Sequence, residues 1–295
     1  MSESRIRGCG TALVTPFTAD GEVDEPALRA LVDWQIEQGV HFLVPIGSTG
    51  EAATMSPEEQ YRVVRIVVEQ THGRVPIIAG AGSNNTKRAV ATSRTMRDLG
   101  VTHLLHVAPM YNRPPQRGII EHFRAIAEAT DVPVVLYNVP GRTGCNIEAE
   151  TALALAEVPN IVAIKEASGN MPQVLEILRH RPSHFSVLSG DDSLALTMME
   201  AGGDGVVSVV SNATPRAMAD LVNRCLAGDF AAARAIQERL EPWMKAAFIE
   251  SNPIPVKAAM EMLGRAQNVL RLPLVPLLER YVAPVRESLV RAGAL

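Results

Sequence analysis

Apolar runs of strand length alternate with amphipathic stretches of helix length from Thr11 to Leu226, and that alternation leaves few folds open. The runs predict strands over 11–14, 41–46, 75–79, 103–107, 134–138, 161–165, 185–188 and 205–210. Helices are expected between them, over 24–38, 56–71, 86–99, 117–129, 148–156, 171–179, 193–201 and 215–226. Asp24 is the expected N-cap of the first. Ser56-Pro57-Glu58-Glu59 has the form of a capping box with proline at the first helical position. Parallel neighbours need a crossover helix, and roughly eight units of about 25–30 residues predict an α/β fold, a closed (β/α)8 TIM barrel. A doubly wound open sheet would carry a GxGxxG turn after its first strand, and none stands there. After Gly228 the rhythm stops. A long helix over 230–249 is broken at Asn252-Pro253-Ile254-Pro255, and two more are expected over 256–263 and 274–292. The expected division is a barrel over 1–228 and a C-terminal helical domain over 229–295.

A chain of 295 residues, 47% hydrophobic, can bury the core such a barrel needs. Its net charge of −4, with no basic cluster, argues against a nucleic-acid partner. No apolar run approaches the roughly 20 residues of a membrane helix. Met1-Ser2-Glu3-Ser4-Arg5 lacks an apolar signal core, so a cytoplasmic location is expected. Cys9, Cys145 and Cys225 are scattered without CxxC spacing. His103 and His106 fall on opposite faces of one strand, so both are read as structural and no metal site is expected.

Barrels place their chemistry at the carboxyl ends of strands. There the chain sets Gly47-Ser48-Thr49-Gly50-Glu51, Met110-Tyr111-Asn112-Arg113, Tyr137-Asn138-Val139-Pro140-Gly141-Arg142-Thr143-Gly144, Lys165 and Ser189-Gly190-Asp191-Asp192. Only four of the 28 Lys and Arg residues are lysine, so Lys165 at a strand end asks for a reason. Many strand-end lysines merely snorkel to water; a desolvated lysine, unlike arginine, also deprotonates and attacks carbonyls. Two of the four tyrosines, Tyr111 and Tyr137, share the mouth with it. An amine, phenols and small hydroxyls are the parts needed to make and hydrolyse an imine. The Gly47–Gly50 backbone with its hydroxyls suits a carboxylate, or is an ordinary tight turn. Arg142 is a planar fork for a second carboxylate, or a surface charge.

These segments, with Ile164-Lys165-Glu166-Ala167 and Asn252-Pro253-Ile254-Pro255-Val256-Lys257, resemble the dihydrodipicolinate synthase / N-acetylneuraminate lyase family of pyruvate-dependent class I aldolases. The resemblance runs from about Gly8 to the C-terminal helices and is closer to the synthase branch. It implies that Lys165 forms a Schiff base with pyruvate. Tyr137, Ser48 and Tyr111 would relay protons, Tyr111 reaching the site of a neighbouring subunit. Thr49 would hold the pyruvate carboxylate, Arg142 the carboxylate of aspartate semialdehyde, and Gly190 and Val207 would line the pocket. The partners implied are these two substrates and further copies of the chain in a homotetramer, a dimer of dimers. No cofactor is implied, since the amine itself is the electron sink. Ser48 departs from the threonine usual in the synthases and matches the lyases, while the Arg142 segment is typical of synthases. A lyase acting on a sugar acid such as N-acetylneuraminate is therefore the rival activity, and a silent keto-acid-binding barrel the rival without one. Where lysine-inhibited relatives carry His, His, Glu and Tyr, this chain has Pro57, Gln60, Arg88 and Met110, and only Asn84 fits. Arg88 would repel the ammonium groups of lysine, so weak or no feedback is expected.

Overall fold

The computed structural model describes residues 5–295; residues 1–4 of the segment read above for a signal core lie outside them. Eight parallel strands are joined in a nearly closed barrel: β1 (Gly8–Ala12), β2 (Phe42–Val44), β3 (Ile78–Gly80), β4 (His103–Val107), β5 (Val134–Asn138), β6 (Ile161–Glu166), β7 (Ser186–Ser189) and β8 (Gly205–Ser208). β1 pairs with both β2 and β8, and the seam between β2 and β3 is closed by a bridge from Leu43 to Ile77. The expected TIM barrel is therefore the fold observed.

Helices α1 (Glu25–Glu37), α2 (Pro57–Thr71), α3 (Thr86–Asp98), α4 (Gln116–Glu128), α5 (Pro140–Thr143), α6 (Ala149–Ala156), α7 (Met171–His180), α8 (Ala195–Glu200) and α9 (Pro215–Leu226) follow the strands. Asp24 caps α1 by accepting from the Ala27 N–H, and the Ser56–Glu59 box closes α2 reciprocally. Strand alternation gives the barrel two cores. Ala12, Phe42, Val44, Ile78, Leu105, Val135, Ala163, Leu188 and Val207 fill the inside, and their neighbours in sequence pack outward under the helices.

Beyond α9 come α10 (Phe230–Ala246), α11 (Ile254–Met262) and α12 (Glu279–Ala292). Trp243, fully buried, donates from Nε1 to the Val210 carbonyl at 3.2 Å, and it shares one apolar cluster with β1, β2 and α12 side chains.

Several boundaries differ from the pattern: β2 and β8, for example, end at Val44 and Ser208 rather than at residues 46 and 210, and α10 ends at Ala246 rather than at 249. β1 begins at Gly8 because Gly8–Thr11 lie in register with Gly205–Ser208. A Cβ on Gly10 would stand 1.8 Å from the Phe42 ring, so a strand forms there from residues with no strand propensity. α12 starts at Glu279 rather than at residue 274, since Pro276 disfavours helix in the residue before it. α5 was not expected, being too short for periodicity to reveal.

His106 faces outward from β4 and is fully buried, with Nε2 3.1 Å from Ser93 Oγ and Nδ1 without a partner among the described residues. Burial first, and the nearby His122 second, push its pKa down to about 3. The unfolded chain therefore takes up a proton as pH falls through 6.5, while the folded chain refuses it until about 3. Stability should drop across that window by about 1.4 kcal/mol per pH unit for this proton. In urea titrations between pH 7 and 4, H106N should lose stability less steeply than the unaltered chain; parallel slopes would remove His106 from the acid response.

Candidate active site

Lys165 and Tyr137 are Cα partners on adjacent strands β6 and β5, one step below the rim. Alternation turns both inward, above Val135 and Ala163, with Leu188 the Cα partner of Lys165 on β7 and Val207 in the same apolar cluster. Lys165 is only 6% exposed, and its Nζ lies 4.2 Å from the centroid of the Tyr137 ring. The stem leaves no space beside β7: a Cβ on Gly190 would come within 3.0 Å of Lys165 Cε and 2.7 Å of Ala167 Cβ. Gly190 is glycine so that the lysine can stand upright.

The loop after β2 borders the same mouth. Thr49 is 3% exposed, whereas Ser48 is exposed. Gly50 N–H donates to the Gly47 carbonyl at 3.1 Å and Glu51 N–H to Ser48 at 3.2 Å, so the loop is two tight turns in succession. Three distant groups hold it. Thr15 Oγ1 donates to the Gly50 carbonyl at 2.8 Å, and Asn252 Nδ2 to Thr49 Oγ1 at 2.8 Å. Lys257 Nζ donates to Glu51 Oε1 at 2.5 Å, with both side chains wholly buried. Lys257 also donates to the Val269 carbonyl at 2.6 Å, and the Arg271 N–H gives Glu51 its other bond at 3.1 Å. Burial pushes the Lys257 ammonium down to about 8 against the pull of Glu51. Arg142 Nη2 donates to the Asn252 carbonyl at 3.3 Å, which ties the α5 fork to the same C-terminal segment.

On the outer face of β6, Glu166 is buried without a cationic partner among the described residues. It accepts from the Ser168 N–H at 2.6 Å, Asn138 Nδ2 at 3.0 Å and Gln173 Nε2 at 3.2 Å, and so fixes the strand end that carries Lys165. Tyr111 lies elsewhere: its ring is 89% exposed, and its N–H donates to the Thr143 carbonyl at 3.2 Å. Ile46, Glu51, Tyr111 and Arg113 all have φ between +46° and +73°, a conformation that non-glycine residues hold only when their surroundings impose it. All four belong to the loops after β2 and β4.

The structure thus gathers Lys165, Tyr137, Gly190 and Val207 at one barrel end and hangs Thr49 and Arg142 from a common residue. Asn252, Glu51, Lys257 and Glu166 stood in the sequence only as members of quoted segments, with no role given to any of them. Asn252 and Lys257 belonged to the helix break and to the resemblance, and nothing there paired them with Thr49 and Glu51.

The model of the Dihydrodipicolinate synthetase family matches residues 5–292. The chain belongs to that family. A 4-hydroxy-tetrahydrodipicolinate synthase of Koribacter versatilis is 50% identical over 292 residues, 99% of this chain and 97% of the relative. A chloride-inhibited dihydrodipicolinate synthase from Acinetobacter baumannii, solved in complex with pyruvate, superposes with a TM-score of 0.97 at 42% identity, covering 98% of this chain and 100% of the other. The Cyanidioschyzon merolae enzyme, solved with lysine bound, gives a TM-score of 0.95 at 41% identity over 98% of this chain and 99% of that one.

Removing one partner of a buried ion pair strands the other charge. In this family member K257M should cost about 3–5 kcal/mol, read as a fall in the urea midpoint. The double variant E51L/K257M should recover a large part of that loss; no recovery would assign the cost to packing.

Proposed function

We propose that the chain condenses pyruvate with L-aspartate 4-semialdehyde to 4-hydroxy-tetrahydrodipicolinate through an imine on Lys165. The observation that carries this is the register of Lys165 beside Tyr137 over an apolar floor, an amine and a phenol held together away from bulk water. The neutral amine attacks the pyruvate ketone, and a carbinolamine forms. Tyr137 supplies the proton with which water departs, leaving the imine. Loss of a methyl proton gives the enamine, whose carbon attacks the aldehyde. The amine of the semialdehyde then displaces Lys165 and closes the ring. Thr49 and the loop amides hold the pyruvate carboxylate, and Arg142 holds that of the semialdehyde, while Gly190 and Val207 shape the pocket. No external cofactor enters, because the imine is the electron sink.

Tyr111, exposed on this chain, is assigned to the relay of a neighbouring subunit with Ser48 as the rim hydroxyl, in a homotetramer built from tight dimers. Residues 229–295 are read as a helical domain added to the barrel of 1–228. Among the described residues no helix is long and apolar enough to cross a membrane, and a cytoplasmic location is proposed. Ser48 favours one rival, cleavage of a sugar acid; the anchored Arg142 favours the synthase.

Borohydride reduction with pyruvate should attach the keto acid to Lys165, located by peptide mass spectrometry, and aspartate semialdehyde should turn over where N-acetylmannosamine does not. An unmodified Lys165 in folded protein would end the imine mechanism. The reverse acceptor preference would make the chain a lyase.

Feedback by lysine is proposed to be weak or absent. Gln60 is committed to the Ala52 carbonyl at 2.8 Å, Asn84 to the Met110 carbonyl at 3.1 Å, and Arg88 adds a like charge. Initial rates should stay nearly flat as lysine is raised to millimolar levels. Strong inhibition at micromolar lysine would overturn this.

A further inference from the structure

Asn252 sits between the two carboxylate receptors and is itself neither. Its side chain is 5% exposed, and its amide makes a single hydrogen bond, from Nδ2 to Thr49 Oγ1 at 2.8 Å. The amide oxygen, Oδ1, is buried with no partner among the described residues. A half-satisfied buried amide costs stability, and an apolar side chain would pack there without that cost. Groups retained at such a cost need another reason. The polarity of the bond supplies one. A hydroxyl that accepts from an amide N–H keeps its own proton free to donate. With Asn252 behind it, Thr49 presents that proton to an anion in the mouth. The main-chain carbonyl of the same residue accepts from Arg142 Nη2 at 3.3 Å, through atoms that no side-chain substitution removes.

We propose that Asn252 is a positioning residue for the keto acid: its side-chain N–H fixes the Thr49 hydroxyl as a donor to the pyruvate carboxylate, and its main-chain carbonyl orients Arg142 separately. The division predicts a split between substrates. The role rests on the imine chemistry proposed above, so the readout is the pyruvate concentration that half-saturates borohydride trapping, together with KM for the semialdehyde.

N252A and T49V should each raise the half-saturating pyruvate concentration about tenfold, the effect of one hydrogen bond to a charged group. KM for the semialdehyde should move less than about twofold. The double variant should be no worse than T49V alone, since both remove one interaction. N252D, nearly isosteric, serves if N252A does not fold: its carboxylate captures the Thr49 proton and repels pyruvate, so the loss should exceed that of N252A. Equal changes for both substrates, additive losses in the double variant, or unchanged pyruvate dependence would overturn the role. Absence of any adduct in the unaltered chain would instead overturn the imine enzyme, which keeps the two failures distinct.

Discussion

Two opposite charges buried without water cannot part, and the Glu51–Lys257 pair imposes that on the whole mouth of the barrel. Desolvating a carboxylate and an ammonium costs several kcal/mol for each ion, recovered only when geometry is good and the remaining donors and acceptors are filled. Here they are filled. Lys257 also reaches the Val269 carbonyl and lies 4.1 Å from the Phe17 ring centroid, and Glu51 takes the Arg271 N–H. Arg271 in turn grips Glu59, the residue that completes the cap of α2. The loop that carries Thr49 is thereby fastened to α11 and to the segment after it. The C-terminal helices hold that loop through this lock.

Period-two alternation divides the labour on β6. Lys165 turns inward to Tyr137 and the apolar floor, and Glu166, the next residue, turns outward to Asn138, Gln173 and the Ser168 N–H. A register slip of one residue would exchange the two, burying the carboxylate over Leu188 and sending the amine under α7. The neutral donors around Glu166 therefore fix more than a loop. They hold the phase of the strand.

Most of the barrel was legible because its signals are local. Strand β4, strand β5 and helix α9 fall at the residues where the pattern put them, and the Ser56–Glu59 cap was readable letter by letter. Lys165 and Tyr137 were legible because a strand end is a place that sequence can mark. The start of β1 was not: Gly8 and Gly10 lack strand propensity, and only their pairing with β8 and the press of Phe42 make them a strand. Asn252 and Lys257 were hidden for a related reason. Their partners, Thr49 and Glu51, lie some two hundred positions earlier, and no local pattern records a contact of that span. The barrel's alternation places the strand-end lysine and tyrosine, while the contacts that hold the loop after β2 are fixed by closure of the chain upon itself.

The two buried lysines differ in their surroundings and not in burial alone. Lys257 is fully buried, yet its ammonium is spoken for by a carboxylate, a carbonyl and an aromatic face. A substrate carbonyl would have to displace a buried carboxylate to reach it, leaving Glu51 charged and unpaired. Lys165 is paired with no carboxylate among the described residues, and the Tyr137 ring is the polar face beside it. A carbonyl reaching its amine would break no ion pair, and Val135, Ala163, Leu188 and Val207 share its interior face. The same residue type serves as a bolt where an acid faces it and stands without an ion pair where none does.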